Sequence, residues 1–403
     1  MKAKFIPIIV GTDMNAYNMA ISFHEAYGMK PVLLGQSPMS FTEYSTITTH
    51  IIYDENLHET DVFLKHLEKI SQQYKNEAEH LVLVATNDEY VRLIVENRQQ
   101  LEKDFKFNYI EENLLNDLLV KNNFYKVCER HGIDIPKTYM FDCASEETFT
   151  EEMTYPIIIK PGNGVNYFKH SFPGQHKVYK LNSLEEAQEV IEKIKDSGYR
   201  DELIIQDYIP GDDTYMWDAV VYMSQESEPQ VVSFGQVVLQ EHTITGIGNY
   251  TAVITKPNRE MMDKLVQFLK ELGYVGFANF DLKYDQRDGK FKVFEVNVRQ
   301  GRSSYYITQC GHNMAQLLVD DLIENKSKSL EYIEDHFLFT VVPRQVLKTF
   351  VKNDAVKKEV KQLLKKKRFG NPLFYKKDKS LKRKLYLFLR QINYYRKYKN
   401  SHW

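Results

Sequence analysis

Residues 276–304 constrain the fold of this chain most strongly, because they contain two β-rich runs joined by a short cluster of turn-forming residues. The stretch reads GFANFDLKYDQRDGKFKVFEVNVRQGRSS, and the turn cluster is DQRDG at 285–289. Aromatic and β-branched residues on both sides of an Asp/Gly turn are typical of a β-hairpin. We therefore expect an antiparallel pair of strands here, around which the other elements are organised.

One face of this hairpin carries polar side chains. Side chains alternate between the two faces of a strand, so Glu295, Asn297 and Arg299 share a face. A register centred on Asp288 places Asp281 directly opposite Glu295, where like charges repel unless a cation lies between them. Carboxylate and amide oxygens, without sulfur or imidazole, are the ligands that Mg²⁺ prefers. From these residues alone two interpretations stay open, a Mg²⁺ site or a solvated polar face.

Charge is distributed unevenly along the 403 residues. The net charge is −2, but residues 351–403 contain 18 Lys and Arg against 3 Asp and Glu, so the body is acidic and the tail is basic. Cys128, Cys143 and Cys310 are widely spaced and follow no metal-binding pattern, which indicates a reducing compartment. The N-terminal apolar run is too short for a signal peptide, and no stretch reaches the ~20 apolar residues that cross a bilayer. We expect a cytoplasmic protein of two or three packed units.

The first 115 residues alternate between apolar, strand-like runs and amphipathic helical patterns. This alternation predicts a doubly wound parallel sheet, in which ligands lie beyond the carboxyl ends of the strands. Polar residues at two of these ends are candidate substrate contacts: Gly11, Asp13, Asn15, Tyr17, Thr86, Asn87 and Asp88. Helix capping by Asp13 or Asn87 is an equally good interpretation. The spacing around Gly11 is not that of a dinucleotide-binding fingerprint.

A phosphate-binding pattern follows in the next part of the chain. Strand 157–159 leads to Lys160 and a Pro-Gly-Asn-Gly turn, after which we expect a loop as far as residue 176. A lysine at a strand end beside glycines suits phosphate, because the ammonium supplies charge and glycine lets backbone N–H groups approach oxygens. Ordinary strand-end residues would have the same appearance. A second glycine-containing loop, at 242–250, is predicted to close over ligands.

Taken in order, these motifs resemble the ATP-grasp superfamily. The resemblance rests on Lys121 at the start of a helix, IIIKPGNGV around Lys160, the hinge strand IIQDYIPG, and FDLK followed by FEVNVR. It implies an α/β chain with an ATP-grasp fold of two α+β subdomains, preceded by a doubly wound parallel-sheet domain and followed by a basic C-terminal extension. The implied boundaries are 1–117 for the pre-ATP-grasp domain, 118–200 and 201–335 for subdomains A and B, and 336–403 for the basic helical extension.

The resemblance also assigns roles to individual residues. It implies ATP and two Mg²⁺ ions, with Asp281, Glu295 and Asn297 as the metal ligands, and Arg299 at the transferred phosphoryl group. The nucleotide contacts that it implies include Lys121 and Lys160 at the phosphates and Gly162 and Gly164 in a glycine loop. The hinge of Gln206, Asp207, Tyr208 and Ile209 would read adenine through its backbone. Asp213 would contact the ribose, with Asp212 as its rival. The loop GNGV is thinner in glycine than many loops of the family.

Within the superfamily the chain resembles the D-aspartate ligases of Gram-positive bacteria. The likeness lies in VGTDMNAYNMAISFHEAYG, LVLVATNDEYVRLI and VNVRQGRSSYYITQCGHN. It implies an ADP-forming carboxylate-amine ligase that makes an amide through an acylphosphate, joining D-aspartate or a similar amino acid to the lysine side chain of a UDP-linked peptidoglycan precursor. Arg302, Ser303 and Ser304 then become candidate contacts for the substrate carboxylate. The implied catalytic residues are Arg299, Arg302 and Lys160.

Basic and aromatic residues are mixed in the tail, residues 351–403. This composition fits a peripheral contact with the inner face of a membrane, a contact with RNA, docking onto the acidic body, or a solvated helical extension. Nucleic acid is the least expected partner. A second class of function is also open, a nucleotide-binding interaction protein of the same fold without turnover. Retention of all three metal ligands favours the enzyme.

Overall fold

The structure is a computed structural model that describes residues 2–162, 164–242, 246, 248–326 and 328–400. The chain divides into two compact units. The larger unit comprises Met1–Leu119, Asp212–Asp281 and Val296–Trp403, and the smaller unit comprises Val120–Gly211 and Leu282–Glu295.

A five-stranded parallel sheet, in the order β3-β2-β1-β4-β5, opens the larger unit and confirms the predicted doubly wound sheet. Its strands are β1 (Ala3–Val10), β2 (Val32–Gly35), β3 (His50–Tyr53), β4 (Ala78–Ala85) and β5 (Phe105–Lys106). The helices of this part are α1 (Met14–Tyr27), α2 (Thr60–Tyr74), α3 (Asp88–Glu96), α4 (Arg98–Leu101) and α5 (Glu112–Leu119). Because β1 pairs with β2 on one side and β4 on the other, the strand order reverses beside it, which is where ligands bind in open parallel sheets.

The smaller unit is built on four antiparallel strands in the order β6-β9-β7-β8. These are β6 (Thr138–Asp142), β7 (Ile157–Pro161), β8 (Tyr179–Leu181) and β9 (Glu202–Asp207), and the helices are α6 (Lys121–Arg130), α7 (Gly164–Lys169) and α8 (Leu184–Asp196). Ile157, Ile159 and Leu203 are buried in its core. The short helix α7 lies where the sequence predicts only a loop, so that expectation is wrong over 164–169. Asn163, in the predicted glycine loop, lies outside the described residues.

A second, eight-stranded sheet follows in the chain, in the order β14-β13-β10-β11-β12-β16-β17, with β15 paired to β11. Its strands are β10 (Met216–Met223), β11 (Pro229–Gln240), β12 (Tyr250–Thr255), β13 (Gly276–Asp285), β14 (Lys290–Asn297), β15 (Glu331–Tyr332), β16 (Leu338–Thr340) and β17 (Phe369–Gly370). The later helices are α9 (Arg259–Glu271), α10 (Tyr305–Gln309), α11 (Met314–Leu322), α12 (Arg344–Phe350), α13 (Asp354–Lys365) and α14 (Leu381–Lys399).

The predicted hairpin is confirmed as the neighbouring strands β13 and β14. The N–H of Gly289 donates to the carbonyl of Asp285 at 2.8 Å and closes the turn. Gly289 has φ +73°, a conformation that glycine adopts without steric cost.

The C-terminal segment is part of the larger unit rather than an appended, solvated extension. It supplies strands β16 and β17, and Leu347, Leu373, Leu387 and Tyr398 join the unit's hydrophobic core. Docking onto the body therefore accounts for much of the tail's aromatic and apolar content. None of the helices in the described ranges combines the length and apolar composition that crossing a lipid bilayer requires.

Candidate active site

The smaller unit holds Lys160 in a fixed orientation through the side chain of Gln206. Ile158 of β7 pairs with Gln206 of β9, and Lys160 lies two residues further along, so the two polar side chains share a face. The Lys160 ammonium donates to Gln206 Oε1 at 3.1 Å. Gln206 Nε2 donates in turn to the hydroxyls of Tyr125 at 2.9 Å and Thr138 at 2.8 Å. These two bonds fix the Gln206 amide, which in turn orients the Lys160 ammonium.

A second lysine and a carboxylate complete what we call the lysine cluster: Lys121, Lys160, Gln206 and Glu295. Lys121 is the first residue of α6, and its ammonium lies 2.7 Å from Glu295 Oε2 of β14. Burial, together with the neighbouring Lys121 charge, lowers the pKa of Lys160 to about 7, while Glu295 acts in the opposite direction. Two cations held close together, one of them easily neutralised, form a site that gains from an added polyanion such as a phosphate chain.

An open cleft of about 370 Å³ lies beside the lysine cluster and is lined in part by Lys121 and Gly162. The N–H of Gly162 donates to the carbonyl of Glu202 at 2.8 Å, so this group serves the fold. Gly164 begins α7. The roles of both glycines toward a nucleotide stay predictions.

The predicted hinge uses part of its backbone within the smaller unit. The N–H of Asp207 donates to Lys137 O at 3.0 Å, and that of Tyr208 donates to Pro156 O at 3.1 Å. These two N–H groups are therefore bonded within the fold, and the role of the hinge backbone at the adenine edge stays a prediction. The Tyr208 ring has the Lys180 ammonium 3.9 Å from its centre, a cation–π contact that fixes the ring. Ile209 is buried.

In the larger unit, Arg299 is held from several sides. One guanidinium nitrogen donates to Asp88 Oδ2 at 3.0 Å and to Asn297 Oδ1 at 3.2 Å, and the other donates to the Gln300 carbonyl at 3.0 Å. The Asn297 amide lies 3.4 Å from Asp281 Oδ2, so these two predicted metal ligands share a face of the hairpin. Asp88 thus serves as the partner of a predicted catalytic arginine, a role that the sequence did not indicate.

The segment that follows β14 is fastened to the carboxyl edge of the parallel sheet. The Asn15 side-chain amide donates to Thr86 O at 3.0 Å and Gln300 O at 2.9 Å, and the Gln300 amide donates to Ala85 O at 2.8 Å. Gly11 is required here, because a Cβ at its position would lie 1.8 Å from Thr86 Oγ1. Asn15 is buried and its amide nitrogen positions this segment, while its amide oxygen has no hydrogen-bond partner among the described residues, so its role toward a substrate stays a prediction.

Three other candidates at this edge have structural roles. Asp13 caps α1 by accepting from the Ala16 N–H at 3.0 Å, and Asn87 caps α3 by accepting from the Tyr90 N–H at 2.8 Å. The capping interpretation is confirmed for both. Tyr17 is completely buried, and its hydroxyl donates to Asp378 at 3.0 Å. The prediction of Tyr17 as a substrate contact is wrong, because the C-terminal segment covers it.

The two predicted serines also face inward. Ser304 is fully buried and its Oγ accepts from the Gly301 N–H at 2.7 Å, which closes a turn. Ser303 hydrogen-bonds to Asp218, a fully buried carboxyl that also accepts from Asn279. Burial raises the pKa of Asp218 to about 6, against the lowering effect of those two bonds. Both serines therefore support the loop that carries Arg302, which corrects the prediction that they contact the substrate directly.

Arg302 remains available as a partly exposed cation on that loop. Its carbonyl accepts from the Asn18 amide at 2.9 Å, and its guanidinium lies 3.8 Å from Glu241 Oε2. The distance to Glu241 exceeds that of a tight ion pair, so a substrate carboxylate would compete well for Arg302. Glu241 also pairs with Lys397 of α14 at 2.9 Å, which the sequence did not indicate.

The predicted ribose contact, Asp213, is occupied within the larger unit. Its carboxylate accepts from His242 Nε2 at 2.6 Å and from the backbone and side chain of Gln240 at 3.1 and 2.8 Å. Its rival Asp212 accepts from Thr214 N at 2.9 Å. Neither interaction favours one rival over the other, and the ribose contact stays a prediction. Residues 243–245 and 247 of the predicted closing loop lie outside the described residues.

The predicted metal ligands fit Mg²⁺ by their chemistry. Across the described ranges, no group of three or more His, Cys, Asp or Glu side chains is placed to hold a metal by itself. The predicted set of Asp281, Glu295 and Asn297 contains two carboxylates and one amide. Mg²⁺ is usually bound through one or two carboxylates and completes its shell with waters and substrate phosphates, so this donor set is sufficient.

Solved structures share this architecture. An L-amino acid ligase from Bacillus licheniformis superposes with a TM-score of 0.56 at 14% sequence identity, covering 80% of this chain and 75% of that one. The biotin carboxylase domain of Hydrogenobacter thermophilus 2-oxoglutarate carboxylase, solved with MgADP, ADP and bicarbonate, gives a TM-score of 0.55 at 14% identity over 82% of this chain and 72% of that one. The fold is thus that of the ATP-grasp enzymes. A scan against protein-family models gave no match.

Sequence similarity gives the family. The chain is 33% identical to D-aspartate ligase from Enterococcus faecium (strain Aus0004) over 412 residues, covering 98% of this chain and 97% of the relative. The protein belongs to the D-aspartate ligase family, and it is an ATP-dependent ligase that forms carbon–nitrogen bonds. The protein is therefore an enzyme and not a nucleotide-binding protein without turnover.

Proposed function

We propose that this enzyme uses ATP and Mg²⁺ to activate the β-carboxylate of D-aspartate and transfers the aspartyl group to the lysine side chain of a peptidoglycan precursor. The observation that carries the proposal is the 33% identity to a D-aspartate ligase over nearly the whole chain. Because one scaffold can serve many acids and amines, both substrates require a direct test.

The lysine cluster would bind the phosphates of ATP. Lys121 and Lys160 supply positive charge, and Gln206 holds the Lys160 ammonium in place. A phosphate oxygen would supply the negative charge near Lys160 that Glu295 supplies in its absence. It would raise the pKa of Lys160 and restore full protonation of the ammonium. Asp281, Glu295 and Asn297 would hold Mg²⁺, which supplies Lewis-acid polarisation of the phosphoryl oxygens.

The arginines of the larger unit would act on the acid substrate and the transferred group. Arg299, oriented by Asp88 and Asn297, offsets charge that develops on the phosphoryl oxygens. Arg302 would grip the α-carboxylate of the amino acid, for which a guanidinium provides two parallel hydrogen bonds. The side chain of D-aspartate then presents its β-carboxylate for activation.

The reaction proceeds in two balanced steps. A β-carboxylate oxygen attacks the γ-phosphorus of ATP, the bond to ADP breaks, and an acylphosphate forms. The neutral amine attacks the acyl carbon, the carbon–oxygen bond to phosphate breaks, and the amine nitrogen loses a proton. The products are an amide, ADP and phosphate. No side-chain nucleophile is required.

Phosphate release and product mass test this proposal. The purified enzyme is given MgATP with D-aspartate, L-aspartate, D-asparagine or D-glutamate, with and without a UDP-linked pentapeptide that contains lysine. We expect the fastest release with D-aspartate plus the pentapeptide, and a product heavier by one aspartyl group. With hydroxylamine in place of the pentapeptide, D-aspartate should yield the β-hydroxamate that an acylphosphate forms.

Two results would contradict the proposal in different ways. Hydroxamate formation only with another amino acid would overturn D-aspartate as the acid. Hydroxamate formation with D-aspartate but no pentapeptide product would overturn the amine acceptor alone. Arg302→Lys should raise the KM for D-aspartate at least tenfold with little effect on the KM for ATP. The control is Arg368→Lys, a change at a half-exposed arginine paired with Asp335.

A further inference from the structure

Helix α14 has a buried face and, on the opposite side, an exposed apolar stripe. The buried face packs into the larger unit and consists of Arg383, Leu387, Tyr394 and Tyr398. The exposed stripe points to solvent and consists of Leu381, Leu385, Phe388 and Ile392, whose side chains are 80%, 59%, 59% and 45% exposed. The exposed stripe repeats at intervals of three or four residues and the buried residues at intervals of four or seven, and an offset of two residues rotates a helical position by about 200°. The exposed stripe therefore lies away from the residues that pack into the larger unit, and that packing does not account for it.

Other large side chains broaden the exposed stripe. Leu389, Tyr386 and Tyr395 are 55%, 43% and 37% exposed, and Phe374, shortly before the helix, is 46% exposed. Most of the large exposed apolar side chains in the described residues belong to this one segment. A continuous apolar surface of this kind on a folded protein indicates a contact with another body.

The charge of α14 is entirely positive. The helix contains seven Lys and Arg and no Asp or Glu. Lys382, Lys384, Arg396 and Lys399 are exposed beside the apolar stripe, and Lys376, Lys377 and Lys379 are exposed just before the helix. The acidic residue in this run, Asp378, is buried and bonded within the unit. The exposed face of α14 is thus apolar along its centre and cationic at its edges.

We propose that α14 docks this enzyme on an anionic lipid surface, lying parallel to it with Leu385, Phe388 and Ile392 in the boundary between headgroups and acyl chains. An exposed apolar stripe with cationic flanks is the pattern of interfacial helices. A second copy of the chain is a poorer occupant, because pairing two such faces would bring their like charges together. An anionic membrane satisfies both the apolar stripe and the cations.

Flotation of the full-length enzyme with lipid vesicles tests this proposal. Vesicles of phosphatidylcholine with 40% phosphatidylglycerol are compared with vesicles of phosphatidylcholine alone, at low and high salt. We expect binding to the anionic vesicles, at least tenfold weaker binding to the neutral ones, and loss of binding at high salt. The variant Leu385→Ser, Phe388→Ser, Ile392→Ser should bind anionic vesicles at least tenfold more weakly. Its unfolding temperature and turnover should be unchanged.

Matched variants make the result specific to α14. The apolar control is Met39→Ser with Val178→Ser, which removes exposed apolar side chains elsewhere and should leave vesicle binding intact. Lys384→Glu with Lys399→Glu should weaken binding on the order of tenfold or more, whereas Lys69→Glu with Lys103→Glu, an equal charge change at exposed lysines, should not. Absence of wild-type binding, or equal loss in the control variants, would overturn the proposal. So would a dimer in light scattering that the triple serine variant converts to a monomer.

Discussion

The ammonium of Lys160 donates a hydrogen bond to Gln206 Oε1 at 3.1 Å, and the opposite end of that amide is fixed by the hydroxyls of Tyr125 and Thr138. Replacing Gln206 by Leu removes one acceptor and two donors while nearly keeping the volume. Lost bonds to a charged group cost about 1–3 kcal/mol, so we expect affinity for MgADP to fall about tenfold or more. Isothermal titration calorimetry measures the change.

The control for that variant is Gln188→Leu. Gln188 lies in the same unit and donates to Phe149 O at 2.8 Å, a bond that does not involve the lysine cluster. It removes an equivalent amide without touching the lysine cluster. Equal nucleotide affinity in Gln206→Leu and Gln188→Leu would show that the Gln206 side chain does not orient Lys160.

Nucleotide binding should take up a proton at Lys160. Burial and the Lys121 charge lower the pKa of the free Lys160 to about 7, and an adjacent phosphate raises it again. Affinity is therefore greatest below pH 7 and declines as the pH rises above it, where binding must recharge the lysine. We expect net proton uptake at pH 8, measured by calorimetry in buffers of different ionisation enthalpy.

Lys160→Arg separates this effect from the titration of the nucleotide itself. A guanidinium stays charged across this pH range, so the variant should bind with less proton uptake and a flatter pH dependence than the wild type. Identical proton uptake in both proteins would contradict the assignment of the titrating group.

Glu295 is expected to matter for turnover far more than for stability. Its carboxylate lies 2.7 Å from the Lys121 ammonium, but the side chains are 44% and 35% exposed, and such pairs contribute about 0–1 kcal/mol to folding. As a metal ligand it would contribute several kcal/mol to the transition state. Glu295→Gln should therefore lower kcat at least about a hundredfold with little change in the unfolding free energy. Steady-state kinetics and urea denaturation measure the two quantities.

Glu189→Gln is the matched control for Glu295. It breaks a pair of the same length, 2.7 Å, to Lys193 on the exposed face of α8 in the same unit. Its turnover should equal that of the wild type. A similar loss of activity in both variants, or near-normal turnover in Glu295→Gln, would remove Glu295 from the metal site.

Local signals predicted the elements that carry the site, because those signals do not depend on distant parts of the chain. The hairpin of β13 and β14, the strand that ends in Lys160, and α6 starting at Lys121 all follow from periodicity and turn residues. The strand β3 escaped prediction because HIIY is short and only half-buried, and its pairing with β2 is non-local. Helix α7 was missed because glycine and proline precede it.

Side-chain partners were the least predictable feature. Tyr17 and Ser304 have the polar character of substrate contacts, but tertiary packing uses their hydroxyl groups internally. The supporting role of the Gln206 side chain depends on Tyr125 and Thr138, which lie 81 and 68 residues away in the chain. Nothing local in a sequence marks such partners.

A buried ion pair binds the C-terminal segment to the rest of the larger unit. Arg383 Nε lies 3.5 Å from Asp378 Oδ2, and the two side chains are 2% and 1% exposed. Asp378→Asn would leave the Arg383 charge buried without a counter-charge, which costs roughly 3–5 kcal/mol of unfolding free energy. Asp335→Asn, at an exposed aspartate–arginine pair with Arg368, should cost less than about 1 kcal/mol.

The pH dependence of stability distinguishes this pair from a simple packing effect. Burial acts to raise the pKa of Asp378, but hydrogen bonds from Ser45 and the Thr46 N–H, together with the Arg383 charge, outweigh it and leave the pKa below the usual value. A depressed folded-state pKa stabilises the protein above the unfolded pKa near 4 and loses that contribution as the pH falls through the folded value. The stability difference between wild type and Asp378→Asn, measured by urea denaturation, should therefore shrink as the pH is lowered below about 4. A difference that stays constant over this range would show that the Asp378 charge does not anchor the C-terminal segment.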